Sequence, residues 1–191
     1  MRKIQTANQL NGRAIGSMFF SGFGTGWLFM ALAAKEWIGI VTVSSVMLGM
    51  SILFLTAFYL LRQSRRMPRV PGDPAIRRAF VWINVIQWIA IALVILGFTK
   101  LHIDAYVTSA IAVIIGLHLF PLARLFHYPM HYATGAVLVA WAVASAIFVP
   151  VEQMQGTAAL GNGVILWFSA AVTLAVGVNA ARQPVPAYSV L

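Results

Sequence analysis

Three polar side chains set in apolar surroundings, Asn84, Gln87 and His118, are the residues best suited to chemistry in this 191-residue chain. Asn84 and Gln87 stand one helical turn apart and share a helix face with Trp88 and Ile91. Two amides on one face can bond a neighbouring helix, hold water or hold a solute. His118 lies in Gly116-Leu117-His118-Leu119-Phe120-Pro121-Leu122-Ala123-Arg124. Pro121 cannot donate to the Leu117 carbonyl, so a kink or a freed acceptor is expected beside the imidazole. Imidazole titrates near neutral pH and is costly in hydrocarbon, which makes His118 a candidate ligand, proton carrier or base. The plainer reading is a neutral histidine bonded to Asn84, Gln87 or the freed carbonyl. Arg124 either snorkels to headgroups and caps its helix or meets an anionic solute. Thr134, in Tyr132-Ala133-Thr134-Gly135, joins these four as a pore-lining or ligand-binding candidate.

Other chemistries lack their residues. There is no cysteine, which removes thiolate nucleophiles, disulfides and Cys-ligated metal centres. The four acids, Glu36, Asp73, Asp104 and Glu152, fall outside every long apolar run, which counts against carboxylate proton relays and paired-carboxylate catalysis. His127 and His131 have helical metal-pair spacing, but Pro129 lies between them and no acid is near, so no metal site is expected. No haem pair or other cofactor site is read either. No metalloprotease, P-loop or nucleophile-elbow pattern occurs.

The elements that must position these residues follow from composition. Hydrophobic residues make up 61% of the chain and charged ones 9%, too few to coat a water-soluble globule. Apolar runs long enough to cross a ~30 Å hydrocarbon core occur at 14–34, 37–61, 79–99, 105–123, 132–151 and 163–181. They lack the alternation of barrel strands, so the fold class is all-α, a single transmembrane bundle of about six helices. The N-terminus imitates a signal peptide, but its apolar stretch is too long for one, and it reads as the first span.

Net charge is +9, and its distribution sets the orientation. The cations sit at the ends of apolar runs and form no stripe interleaved with aromatics, which excludes nucleic acid as a partner. With the N-terminus inside, Arg2, Lys3, Arg13, Arg62, Arg65, Arg66, Arg69, Arg77, Arg78, Arg124 and Arg182 are cytoplasmic, leaving Lys35 and Lys100 outside. Both termini are then cytoplasmic. The stretch 62–78, broken by Pro68, Pro71 and Pro74, is a cytoplasmic loop that signals topology and can hold anionic headgroups of membrane lipids.

By a rise of ~1.5 Å per residue, Asn84 and Gln87 lie roughly 9 and 13 Å inward of Arg78, and His118 about 9 Å inward of Arg124. The three polar groups therefore converge in the cytoplasmic half. In the first helix, Ser17, Ser21 and Thr25, with Gly22 and Gly26, repeat small residues every four positions. That spacing suits close helix packing, within the chain, in a homo-oligomer or with a membrane partner chain. Three helices in each half would fit inverted repeats, but the halves share no side-chain pattern.

The runs Trp82-Ile83-Asn84-Val85-Ile86-Gln87-Trp88 and Gly116 to Arg124, with Tyr132 to Gly135, resemble a family of small bacterial multi-pass inner-membrane proteins. The resemblance covers roughly residues 79–135 and carries no assigned activity. It implies a bacterial inner-membrane setting and one cluster of Asn84, Gln87, His118 and Arg124. Many members carry an acid where this chain has Gln87, and the amide counts against a protonation role there.

The expected function is a small-solute channel or transporter with a polar intramembrane pocket open to the cytoplasm. The alternatives are a non-transporting scaffold or accessory subunit, and an intramembrane enzyme on a lipid or quinone with His118 as base. The enzyme reading lacks a second catalytic group.

Overall fold

The computed structural model describes residues 7–67 and 71–182. They form α1 (Ala7–Ala34), α2 (Ile40–Ser64), α3 (Pro74–Lys100), α4 (Val107–Leu125), α5 (Met130–Phe148) and α6 (Val151–Ala181), with a single 3-10 turn, Asp104–Tyr106, ahead of α4. All six α-helices are long and apolar enough to cross a membrane, and no strand occurs among the described residues.

Local chemistry starts and stops these helices. Asp73 caps α3 by accepting from the Ala75 amide at 2.7 Å, and Pro74 occupies the first helical position, where its missing N–H costs nothing. Three connections reverse tightly through a left-handed residue that is not glycine: Glu36 (φ 55°), His102 (φ 56°) and His127 (φ 50°). After each, the next amide reaches five residues back, Trp37 to Leu32 at 2.9 Å, Ile103 to Phe98 at 3.0 Å and Tyr128 to Ala123 at 3.0 Å. A β-carbon in that conformation is strained, so His127→Gly is expected to stabilise the chain by about 0.5–1 kcal/mol, net of the added unfolded-state freedom. Thermal unfolding in detergent checks this, and a lower melting temperature contradicts it.

α6 starts immediately after Pro150, well ahead of the apolar run at 163. Its first turns carry Gln153, Gln155, Gly156 and Asn162, which lower local hydropathy without preventing a helix. At ~1.5 Å per residue its 31 residues span about 46 Å, more than a hydrocarbon core, so α6 tilts or projects.

α6 and α1 pack antiparallel at the centre. A β-carbon on Gly24 would lie 3.1 Å from the Gly163 carbonyl oxygen, and one on Gly163 would lie 2.6 Å from Leu28 Cγ. α2 leans on α1 and α6, α5 packs on α6, α4 packs on α5 and α6, and α3 joins through α4. One core gathers Trp27, Ala31, Leu119, Leu138, Ala159 and Leu166, and a second gathers Leu10, Ala14, Ala57, Leu60 and Leu174. The exterior is apolar, with Ile40 85% and Phe148 80% exposed, a surface suited to hydrocarbon. Arg13, Arg62, Arg65, Arg66, Arg77, Arg78, Arg124 and Arg182 share one end of the bundle, and Lys35, Lys100, Glu36, Asp104 and Glu152 share the other. Arg2, Lys3, Pro68 and Arg69 lie outside the described residues.

Candidate functional site

The arginine end holds a ladder of rings built from four elements. The left-handed turn at His127 returns the chain over the end of α4 and fixes Tyr128 by its amide bond to Ala123. The Phe126 ring, beside it, meets Phe80 of α3 at 5.8 Å. The Tyr128 hydroxyl pairs with Thr173 Oγ1 of α6 at 2.9 Å. From α1, the Arg13 guanidinium lies 4.8 Å from the Tyr128 ring centroid, a cation–π contact. His131, in the first turn of α5, meets Tyr128 edge-on at 4.9 Å and 86°. Phe20, two turns along α1 from Arg13, closes the ladder against His131 at 5.5 Å.

His118 of α4 stands within electrostatic reach of His131 and makes a polar contact with the main chain of Ile83 on α3. Two imidazoles, a guanidinium and a phenol therefore share one region, and among the described residues no carboxylate is paired with them. Arg13 Nη1 and His131 Nδ1 are buried there without a hydrogen-bond partner. Such groups are expected to find water or a ligand, because leaving one unpaired costs about 1–3 kcal/mol. Among the described residues no three His, Asp or Glu side chains gather to hold a metal.

His118 reaches α3 one position before Asn84, whereas the Asn84 amide donates to the Phe80 carbonyl of its own helix at 2.7 Å. Gln87 is half-buried on α3, and Arg124 is exposed at the arginine end. Thr134 is buried, donates to the Met130 carbonyl and shares a 2.8 Å hydroxyl pair with Ser169 of α6.

On α1, Ser17, Ser21 and Thr25 are buried. Ser21 Oγ donates to the Ser17 carbonyl at 2.7 Å and Thr25 Oγ1 to the Ser21 carbonyl at 2.8 Å. Trp167 of α6 ties this face down by donating to the Ser21 carbonyl at 3.1 Å and to Thr25 Oγ1 at 3.2 Å. Gly22 only grazes Phe54 of α2, and Gly26 is exposed, so Gly24 makes the close approach.

Arg13, Tyr128, His131 and Thr173 carry the site without having been singled out for it. Arg13 reads in sequence as a topology charge, and His131 only as half of a rejected metal pair with His127. Their common signal is faint: Tyr128 and His131 are three apart, a spacing that stacks side chains when the turn continues into a helix. No family model, curated protein or solved structure matches the chain, so its chemistry is read from its own residues.

Proposed function

We propose that this chain is a multi-pass membrane protein that moves a small anionic or acceptor-rich solute, bound at the arginine end by Arg13, His131 and His118 beside Tyr128. One observation carries the reading: donors from α1, α4 and α5 gather without a carboxylate, and two of their nitrogens are buried and unpartnered. Glu36, Asp104 and Glu152 stand at the opposite end and Asp73 is engaged in capping α3, so among the described residues no carboxylate is paired with these donors. An incoming oxyanion satisfies them with charge-assisted bonds, about twice as strong as neutral ones. Asn84 and Gln87 flank the His118 side on α3, and Arg124 stands at the mouth. By the excess of arginine, this end faces the cytoplasm, which places both termini inside. The resemblance over 79–135 supports a bacterial inner-membrane setting.

Uptake of radiolabelled acetate or inorganic phosphate into proteoliposomes tests the reading. Losing one charge-assisted bond of ~1.5–3 kcal/mol slows uptake about tenfold or more, so Arg13→Gln and His131→Gln are each expected to show that loss. His118→Ala is expected to lower uptake while leaving the melting temperature within a few degrees. Wild-type uptake equal to that of protein-free vesicles would falsify the proposal. A second reading, an accessory subunit, draws on α2 and α3, whose most apolar windows are only 6% buried. A membrane chain co-purifying at one-to-one ratio supports that reading instead.

A further inference from the structure

A line of buried polar groups runs through the bundle between α5 and α6. On α6, Asn162, Ser169 and Thr173 fall within about 20° of one line at 100° per residue, and all are buried, Asn162 completely. On α5, Thr134 and Ser145 share one line in the same way and are also buried. The two stripes face each other. Tyr128 pairs with Thr173 at 2.9 Å, Thr134 with Ser169 at 2.8 Å, and Trp141 Nε1 donates to the Ala158 carbonyl at 3.3 Å. That register sets Asn162 between the levels of Trp141 and Thr134, and Ser145 beyond Trp141 toward the lysine end. Ser109 of α4 joins at the level of Ser145, since both lie about two turns outward of the Gly116–Val139 contact.

Several of these groups lack partners. Ser109 Oγ, Ser145 Oγ, both amide atoms of Asn162 and His131 Nδ1 are buried with no hydrogen bond from the protein. A fully buried amide with neither end bonded loses its whole hydration, so water is its expected partner. Asn162 offers such a water one donor and one acceptor, and the serine hydroxyls offer both. In the Tyr128·Thr173 pair either hydroxyl can be the donor, and in Thr134·Ser169 the roles exchange when the Thr134 proton turns from the Met130 carbonyl to Ser169 Oγ. A pair of that kind can pass a proton and reverse.

We infer that the α5–α6 seam is a hydrated proton path from Ser109 and Ser145, past Asn162 and the Thr134·Ser169 pair, to His131. The proton rides on water ordered by Asn162, whose amide itself exchanges nothing. At each hydroxyl, one O–H bond forms on the side of arrival as another breaks on the far side. His131 binds the proton at Nδ1 as its Nε2–H bond breaks, the Tyr128·Thr173 pair carries the released proton onward to the arginine end, and the ring returns to its first tautomer. The hydroxyls are left reversed and rotate back before the next transfer. Leu138 and Leu166, both buried along the seam, offer no ligand to a metal ion, and the water between the polar groups is a transient file.

The inference deepens the transport reading by supplying its coupling ion, and it rests on that reading only for what the proton drives. The full-length protein is reconstituted in vesicles containing a pH-sensitive dye, a potassium diffusion potential is imposed, and acetate uptake is followed in the same preparation. Wild-type protein is expected to acidify the lumen. Asn162→Leu, which keeps the branched outline and removes both hydrogen-bonding ends, and Ser169→Ala are expected to slow acidification about tenfold or more, and Asn162→Ser, which keeps a polar group for water, to retain most of it. Asn162→Leu conducting like wild type overturns the path, as does wild-type acidification no faster than in empty vesicles. Uptake of acetate without proton movement overturns the path and leaves the transport reading standing. Proton movement without any solute uptake supports the path and removes the transport reading.

Discussion

With valine at Gly135, α4 and α5 are expected not to close. Gly116 and Gly135 meet backbone to backbone. A β-carbon on Gly116 would lie 2.7 Å from the Gly135 carbonyl oxygen and 3.2 Å from the Val139 nitrogen, and one on Gly135 would overlap the Gly116 carbonyl. A flexible side chain could swing away, but a helix backbone cannot. Overpacking a core costs about 1–3 kcal/mol where side chains can adjust, so Gly135→Val belongs at or above the top of that range. The loss extends to the site, because Thr134, His131 and Tyr128 take their positions from this crossing. Thermal unfolding and size-exclusion profiles in detergent measure it. Gly26→Val is the control. Nothing lies within 4 Å of its β-carbon and it faces outward, so stability is expected to change by less than about 0.5 kcal/mol. Equal melting temperatures for wild type and Gly135→Val would show that the crossing is not as described.

The second large effect belongs to Trp167. Its ring fills a slot between Gly24 of α1 and Gly49 of α2, where a β-carbon on Gly49 would lie 2.5 Å from Trp167 Cη2. The indole also donates twice to α1. Away from this slot α2 has few anchors: Ala57, Leu60 and Ser64 are its buried residues, and all lie toward the arginine end. Trp167→Ala is therefore expected to cost about 3 kcal/mol, the lower end for a lost core tryptophan. In lipid only packing and hydrogen bonds are forfeited, without the hydrophobic term that water would add. The first half of α2 is expected to come loose. The native chain has no cysteine, so a spin label on a single introduced cysteine at Val46 reports that segment alone. A mobile spectrum with Trp167→Ala and an ordered one with native Trp167 is the expected pair. Two ordered spectra would remove Trp167 as the strut.

The sequence and the structure agree best where one element at a time decides. Six apolar runs become six helices because backbone groups in hydrocarbon must be satisfied within a segment, a demand visible in length and composition. The start of α6 was less legible, since a helix buried against neighbours tolerates Gln153, Gly156 and Asn162 that depress local hydropathy. Small residues at four-residue spacing pointed to α1 as a packing helix. Its rotation, set by Trp167 and Gly163, decided that Gly24 and not Gly26 faces inward.

The candidate site lay further from view. His118 stood out alone as a histidine inside an apolar run, and Asn84 drew attention for the same reason, although its amide bonds within its own helix. Arg13, Tyr128, His131 and Thr173 each have an ordinary local explanation, and they come together only once α1, α5 and α6 are set side by side. Length, polarity and the placement of charge are properties of single segments, so the primary structure alone determined the six helices, the arginine-rich end and the absence of acids between them. Which faces meet depends on the rotation and register of helices far apart in the chain. Contacts at a few glycines and one tryptophan set both, so only the tertiary structure decided that a guanidinium, two imidazoles and a buried polar seam belong together.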